Sequence, residues 1–193
     1  MGKARDLKKV IKANQGGNMN DFRSGLKAAM LVLMIISGVI YLSGIDALAG
    51  ESFNLYKGAW FDIKYPSDFR VRPSMRSQSM PGKYNSVFFV SPDKKVEFYV
   101  YSPQWSGDAN DIELDERTEK ASPAEVQKKD GREITYYTIT AKDGSYTRAY
   151  QQTVSNEGSV KWVIGLKYRS AADYQKYKGA YLKFKGSLQQ YAD

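Results

Sequence analysis

The chain has 193 residues, with 29 Lys and Arg against 21 Asp and Glu for a formal net charge of +8, and it contains neither His nor Cys. Those two absences exclude Ser-His-Asp and Cys-His nucleophile systems, zinc sites of the usual kind, disulfides and any lipid-bearing cysteine. Aromatic residues supply 13% of the chain, and 15 residues are Tyr, so material for a core and for recognition surfaces is plentiful.

The first predicted element is an export signal. Residues 28–45, Ala-Ala-Met-Leu-Val-Leu-Met-Ile-Ile-Ser-Gly-Val-Ile-Tyr-Leu-Ser-Gly-Ile, form the one long apolar run. Lys3, Arg5, Lys8, Lys9, Lys12, Arg23 and Lys27 precede it, and Ala47-Leu48-Ala49-Gly50 follows. A basic flank, an apolar core and a small-x-small exit are the parts of a secretory signal peptide. The run's 18 residues also lie at the short limit of a membrane-spanning helix, so an uncleaved anchor with its amino terminus inside is the alternative. Ala47 and Ala49 favour cleavage before Gly50, and either way the remainder is expected outside the cytoplasm, periplasmic or extracellular.

Residues 1–18 are a long lead-in, whereas Met19-Asn-Asp-Phe-Arg-Ser-Gly-Leu-Lys27 alone makes an ordinary n-region. Codons for Gln15 to Asn18 can spell a purine-rich ribosome-binding sequence, so Met19 rather than Met1 is expected as the start. Removing residues 1–49 takes away seven Lys and Arg and three Asp and Glu, leaving 144 residues, 22 cations against 18 anions and a net charge of +4. That length suits one domain with a sizeable core, and a charge so small argues against a nucleic-acid partner.

Beyond residue 50 the pattern turns to strands. In Trp60-Phe-Asp-Ile-Lys-Tyr65, Phe61, Ile63 and Tyr65 alternate with Asp62 and Lys64, and Pro66 ends the run. Arg70 to Lys83 holds Arg70, Arg72, Arg76 and Lys83 with two Pro and no acid, and reads as a mobile basic loop around a short strand at Phe69 to Val71. Val87 to Val90 and Val96 to Tyr101 flank the turn residues Ser91-Pro-Asp-Lys-Lys95, a predicted β-hairpin. Gln104 to Lys120 then breaks the pattern with Gly107 and six acids, Asp108, Asp111, Glu113, Asp115, Glu116 and Glu119.

Ser122-Pro-Ala-Glu125 matches a capping box with Pro at the first helical position, which predicts a short helix to Lys129. Glu133 to Thr140, Tyr146 to Val154 and Val160 to Arg169 follow as a meander of antiparallel strands. The clearest helix comes last. Ser170 is placed to cap it, and Tyr174, Tyr177, Tyr181, Phe184, Leu188 and Tyr191 recur at steps of three and four. A helix with one aromatic stripe must bury it, so the expected fold is α+β, an antiparallel sheet of about five to six strands covered by helices.

Tyr56-Lys-Gly-Ala-Trp-Phe61 before Tyr65-Pro66, Gly131 with Tyr136-Tyr137, Gly158 before a strand, and the terminal helix with Tyr174, Tyr177, Phe184 and Ser187-Leu188 resemble the PsbP/Mog1-like superfamily over most of residues 55–191. The resemblance implies an α/β/α sandwich and a non-enzymatic role as an accessory or binding module of larger assemblies. PsbP-like members are associated with metal ions through His and carboxylates, and this chain has no His. No metal site and no cofactor is expected.

The remaining motifs weigh toward ordinary structure. Ser91-Pro-Asp-Lys94 satisfies S-x-x-K, yet it lies on a predicted turn without the S-D-N and K-T-G partners of penicillin-recognising enzymes. Asp108-Ala-Asn110 begins like a calcium loop and fails at Ile112 and Glu113, so the acidic stretch reads as a solvated loop. Trp105 stands apart, a large ring in the turn-rich Ser102-Pro-Gln-Trp-Ser-Gly107. Trp105 and the basic residues Arg70, Arg72, Arg76 and Lys83 are the expected partner-facing surfaces. The expected function is an exported, non-catalytic domain binding a protein or envelope component. The alternatives are a carboxylate-dependent envelope enzyme acting on glycan and a membrane-tethered structural domain.

Overall fold

Side chains on a strand alternate between two faces, and here both faces of the central strands are apolar. In β4 (Ser86–Val90) and β5 (Val96–Tyr101), Val87, Phe89, Val96, Phe98 and Val100 point one way, and Phe88, Tyr99 and Tyr101 the other. β10 (Val160–Tyr168) continues the pattern, with Ile164 and Leu166 on the first face and Val163 on the second. A sheet apolar on both faces needs two covers. The computed structural model, which describes residues 52–155 and 158–191, shows what they are. The predicted export signal, with Ala47, Ala49 and Gly50, lies outside the described residues.

The large sheet has eight strands. β3 (Arg70–Pro73), β4, β5, β10, β9 (Thr147–Ser155), β8 (Arg132–Ala141) and β6 (Glu119–Ala121) pair in that order, and β7 (Glu125–Lys129) also pairs with β8. Every pairing is antiparallel. β1 (Phe53–Lys57), β2 (Phe61–Pro66) and β11 (Gln189–Gln190) form a second, three-stranded sheet.

The first face is covered by this small sheet and by helix α1 (Ala171–Gly186). Ser170 caps the helix as its spacing predicts, its Oγ accepting from the backbone N–H of Asp173 at 3.1 Å. Lys183 and Lys185 occupy the last turn, where the helix dipole favours cations. Phe184 is fully buried between Phe89 and Phe98, and Tyr177 meets Phe69 edge-on. A buried Phe of this kind contributes about 1.5–3 kcal/mol relative to exposure.

The second face differs from expectation. Among the described residues α1 is the single α-helix, and the segment between β5 and β6, with one 3₁₀ turn at Asn110–Ile112, covers the opposite side. Ile112 is buried there against Tyr99, Tyr101, Ile139, Tyr150 and Val163, with Leu114 and Ala109 packed alongside. None of the described helices is long and apolar enough to cross a membrane.

Two further expectations are corrected. The predicted helix at Ser122 to Lys129 is instead strand β7, joined to β8 by Asp130-Gly131, whose φ angles of 52° and 72° make the left-handed two-residue turn that matches strand twist. Ser122 caps nothing: its backbone N–H donates to the Thr138 carbonyl at 2.8 Å and anchors the strand. The basic stretch Arg70 to Lys83 is a hairpin extension rather than a free loop. β3 pairs with β4, Arg76 bridges Tyr84, and the N–H of Asn85 donates to the Met75 carbonyl at 2.7 Å.

Candidate functional site

The acidic stretch faces solvent at Asp108, Glu113, Asp115 and Glu116, as expected of a solvated loop, but Asp111 and Glu119 turn inward and tie it to the sheet. The carboxylate of Asp111 turns inward and accepts from Tyr99 Oη and Ser86 Oγ, each at 2.6 Å. Lys161 donates from Nζ to Asp108 Oδ1 at 2.8 Å. Arg148, on the inward face of β9 and only 8% exposed, donates to the carbonyls of Ile112 at 2.9 Å and Glu113 at 2.8 Å. Its guanidinium also pairs with the buried carboxylate of Glu119, which accepts from Tyr146 Oη at 2.7 Å and from the backbone N–H of Asp115 at 2.9 Å. The segment over the second face is thus held along its length by charge-assisted hydrogen bonds.

Burial and these partners set the protonation states. Burial alone would raise the Glu119 carboxyl, but the hydrogen bonds from Arg148, the Asp115 amide and Tyr146 more than reverse it, so its pKa lies below the ordinary value. Burial, then the Asp111 carboxylate, holds the Tyr99 hydroxyl protonated far above its ordinary range. Burial pushes Tyr101 to about 12, helped by Asp108 and Asp111. These groups are locked in single charge states near neutrality, as structural networks require.

Trp105 projects from this pinned segment with 53% of its surface exposed. Its neighbours on the β5 side are fixed: Ser102 and Pro103 are buried, the Ser102 N–H donates to the Asn85 carbonyl at 2.8 Å, and Gln190 donates to Ser102 Oγ at 3.0 Å. The indole therefore stands on a rigid base.

The fold divides the five residues expected to face a partner between two ends of the large sheet. Arg76 and Lys83 share the end where β4 begins and β5 leaves toward Trp105. There Arg76 lies over the Tyr84 ring at 5.8 Å, and Lys83 Nζ donates to the Lys57 carbonyl at 3.3 Å. Arg70 and Arg72 sit on β3 opposite Val90 and Phe88, toward the other end. Arg72 stacks over the Phe88 ring at 4.1 Å and donates to Glu97 Oε2 at 2.8 Å.

At that other end a cleft of about 290 Å³ opens among Val90, Lys94, Val96, Glu97, Ser145, Tyr146, Lys167 and Arg169. Lys167 Nζ lies over the Tyr146 ring at 3.9 Å. Glu97 is the single acid on this wall. The S-x-x-K serine is ordinary turn structure: Ser91 is 2% exposed, donates to Asp93 Oδ1 at 2.7 Å and accepts from the Val96 N–H at 3.0 Å. Among the described residues no group of three or more acids stands close enough to hold a metal ion.

Sequence reading missed Arg148, Glu119 and Asp111. A signal for the first was available, because Arg148 alternates with Tyr146 and Tyr150 on the face that a strand must bury, and a charge at a core position demands a partner. The partners lay in an acidic run whose composition suggested solvent.

Fold and surfaces of the described residues together define an α+β domain of antiparallel strands and a single α-helix, presenting an exposed aromatic at one end and a cationic cleft at the other. No protein-family model matches the chain, and no curated protein matches it. Among solved structures the chain is similar to the solution structure of cyanobacterial PsbP (CyanoP) from Synechocystis sp. PCC 6803. That match covers 78% of this chain and 99% of that one, at 13% sequence identity and a TM-score of 0.45.

Proposed function

We propose that the chain is an exported, non-catalytic accessory module of the PsbP/Mog1-like type that docks a protein of the cell envelope through Trp105. The observation that carries this reading is the indole itself, half exposed on a segment tied to the sheet through Asp111, Asp108, Ile112 and Glu113. Rigid, exposed aromatics are the anchors of protein interfaces, because they bury large area while little conformational entropy remains to be lost. Arg76 and Lys83, at the same end of the sheet, supply a cationic rim. The signal-peptide pattern before Gly50 supports export, and the motifs from Tyr56 to Leu188 support the family type.

A glycan-cleaving enzyme would need two facing carboxylates, one with a raised pKa. The cleft wall carries Glu97 alone, and the carboxylates with shifted values, Asp93, Glu119 and Asp143, are all shifted downward. The test is cross-linking in intact cells, followed by purification and mass analysis of bait and captured protein. A bait beginning at Gly50, bound to one reproducible envelope protein and losing it on Trp105→Ala, is the expected result. A bait recovered alone, or a partner indifferent to Trp105→Ala, would remove the reading.

A further inference from the structure

The cleft at the opposite end from Trp105 has a charge pattern that packing does not explain. Three of its lining residues are cations, Lys94, Lys167 and Arg169, and its one acid, Glu97, is already paired with Arg72. Acids on neighbouring turns and strands are also engaged elsewhere. Asp93 pairs with Lys176, Asp173 with Lys95 and Glu119 with Arg148, while Asp143, exposed on the turn before Ser145, accepts from the Ser145 N–H and is paired with none of the three cleft cations. Among the described residues, Lys94, Lys167 and Arg169 have no carboxylate within salt-bridge distance. Even with Glu97 directly opposite Lys167 on β5, three cations against one acid leave the cleft with an excess of positive charge that an anion would offset.

Two local details point the same way. Lys94 has φ 56°, a left-handed conformation that Gly or Asn adopts at less steric cost, so a Lys stands where the backbone disfavours one. Lys167 is held over the Tyr146 ring, and Tyr146 is itself fixed by its hydroxyl hydrogen bond to Glu119. The lysine head is thereby positioned at the cleft rather than free to swing into solvent. On these grounds we infer that the cleft between the β4–β5 turn and the end of β10 binds a phosphate group, with Lys94 and Lys167 as point charges and the Arg169 guanidinium as a fork for two oxygens. The volume, about 290 Å³, admits a free phosphate or pyrophosphate and equally the phosphate of a lipid headgroup. The Ser145 side belongs to the same rim.

The experiment is an NMR titration of the full chain in a nonionic detergent micelle. Inorganic phosphate, pyrophosphate, and nanodiscs of phosphatidylglycerol are added separately, with sodium chloride at matched ionic strength as the control. Saturable shifts confined to Lys94, Ser145, Tyr146, Lys167 and Arg169 are expected, and chloride leaves those signals in place. Shifts with the soluble anions but not the nanodiscs assign a free phosphate, and the reverse assigns a headgroup. Lys167→Gln is expected to weaken binding about tenfold. Lys94→Gly removes a charge from a left-handed position at no folding cost, and it too is expected to weaken binding severalfold while the chain stays folded. No saturable shift with any of the probes overturns the inference, as do shifts that survive both substitutions or that chloride reproduces.

Discussion

The hydroxyl of Tyr99, in the middle of the large sheet, donates to Asp111 Oδ1 at 2.6 Å, twelve residues further along the chain on the 3₁₀ turn that crosses the same face. One carboxylate thereby ties the cover to the sheet, because Oδ2 accepts from Ser86 on the neighbouring strand. The position of Trp105 depends on that tie.

Asp111→Ala leaves the buried hydroxyls of Tyr99 and Ser86 without their acceptor. The expected cost is about 1–3 kcal/mol for unmatched polar groups. Because the cover has other anchors, the chain should stay folded while amides between Pro103 and Thr118 exchange with solvent faster than those of β5 and β10. Native-state hydrogen exchange distinguishes this local loosening from uniform destabilisation, which would show Asp111 to be an ordinary core contact.

Arg148 and Glu119 form a pair at 9% and 5% side-chain exposure. Removing one partner strands a charge in the interior, so Glu119→Ala should cost about 3–5 kcal/mol, whereas Arg148→Met with Glu119→Leu should cost much less, because neither charge is then buried. Denaturant unfolding of the two variants makes the comparison. A double variant as unstable as the single one would show that the carbonyl contacts of Arg148 to Ile112 and Glu113 matter more than the ion pair.

The same pair sets the acid limit. Glu119 has its carboxyl pKa lowered from 4.5 in the folded state, against burial, by Arg148, the Asp115 amide and Tyr146. A lowered acid contributes stability that is complete above the unfolded value and is lost as pH falls through the folded value, so stability should decline below about pH 4.5 and less steeply in Glu119→Gln. At the alkaline end the sign reverses. Burial raises Tyr56, Tyr101, Tyr146 and Tyr150 to about 12, so their contribution is complete below the unfolded value of 10 and is lost between pH 10 and 12. Tyrosinate absorbance followed with circular dichroism should show a fraction of the ionisation delayed past pH 10 and coinciding with unfolding.

Gly165 lies in the buried centre of β10 directly opposite Tyr150. A methyl group there would stand 2.2 Å from Tyr150 Cδ1, so the ring occupies the space a side chain would take. Gly165→Ala should destabilise by about 1–3 kcal/mol through overpacking, and the double variant with Tyr150→Ala should lose less than the sum of the two single losses, because the clash is gone. Thermal unfolding of the single and double variants tests the coupling.

How legible the fold was depended on the strength of local signals. β5 matches its predicted span, Val96 to Tyr101, because apolar residues and turn chemistry agreed, and α1 begins after Ser170 because cap and aromatic period coincide. β7 was misread because Ser122-Pro-Ala-Glu125 carries a helix-start pattern, while the decisive signal, Asp130-Gly131, lay at the far end of the segment. β1, β6 and β11 were not predicted. β11 is two residues long, and a strand that short exists only through its pairing with β2. The exposure of Trp105 was legible from its turn-rich surroundings. The cleft was not, because Lys94, Lys167 and Arg169 come from separate parts of the chain that only the sheet order brings together.

Docking of Trp105 on a protein partner outside the cytoplasm is the reading proposed above. It is tested most directly by placing a photoactivatable residue at position 105 of the full chain in living cells, with a control at Lys128 on the exposed edge strand β7. One discrete adduct with an envelope protein is expected from position 105 and none from position 128. No adduct from position 105, or the same adducts from both positions, would contradict it.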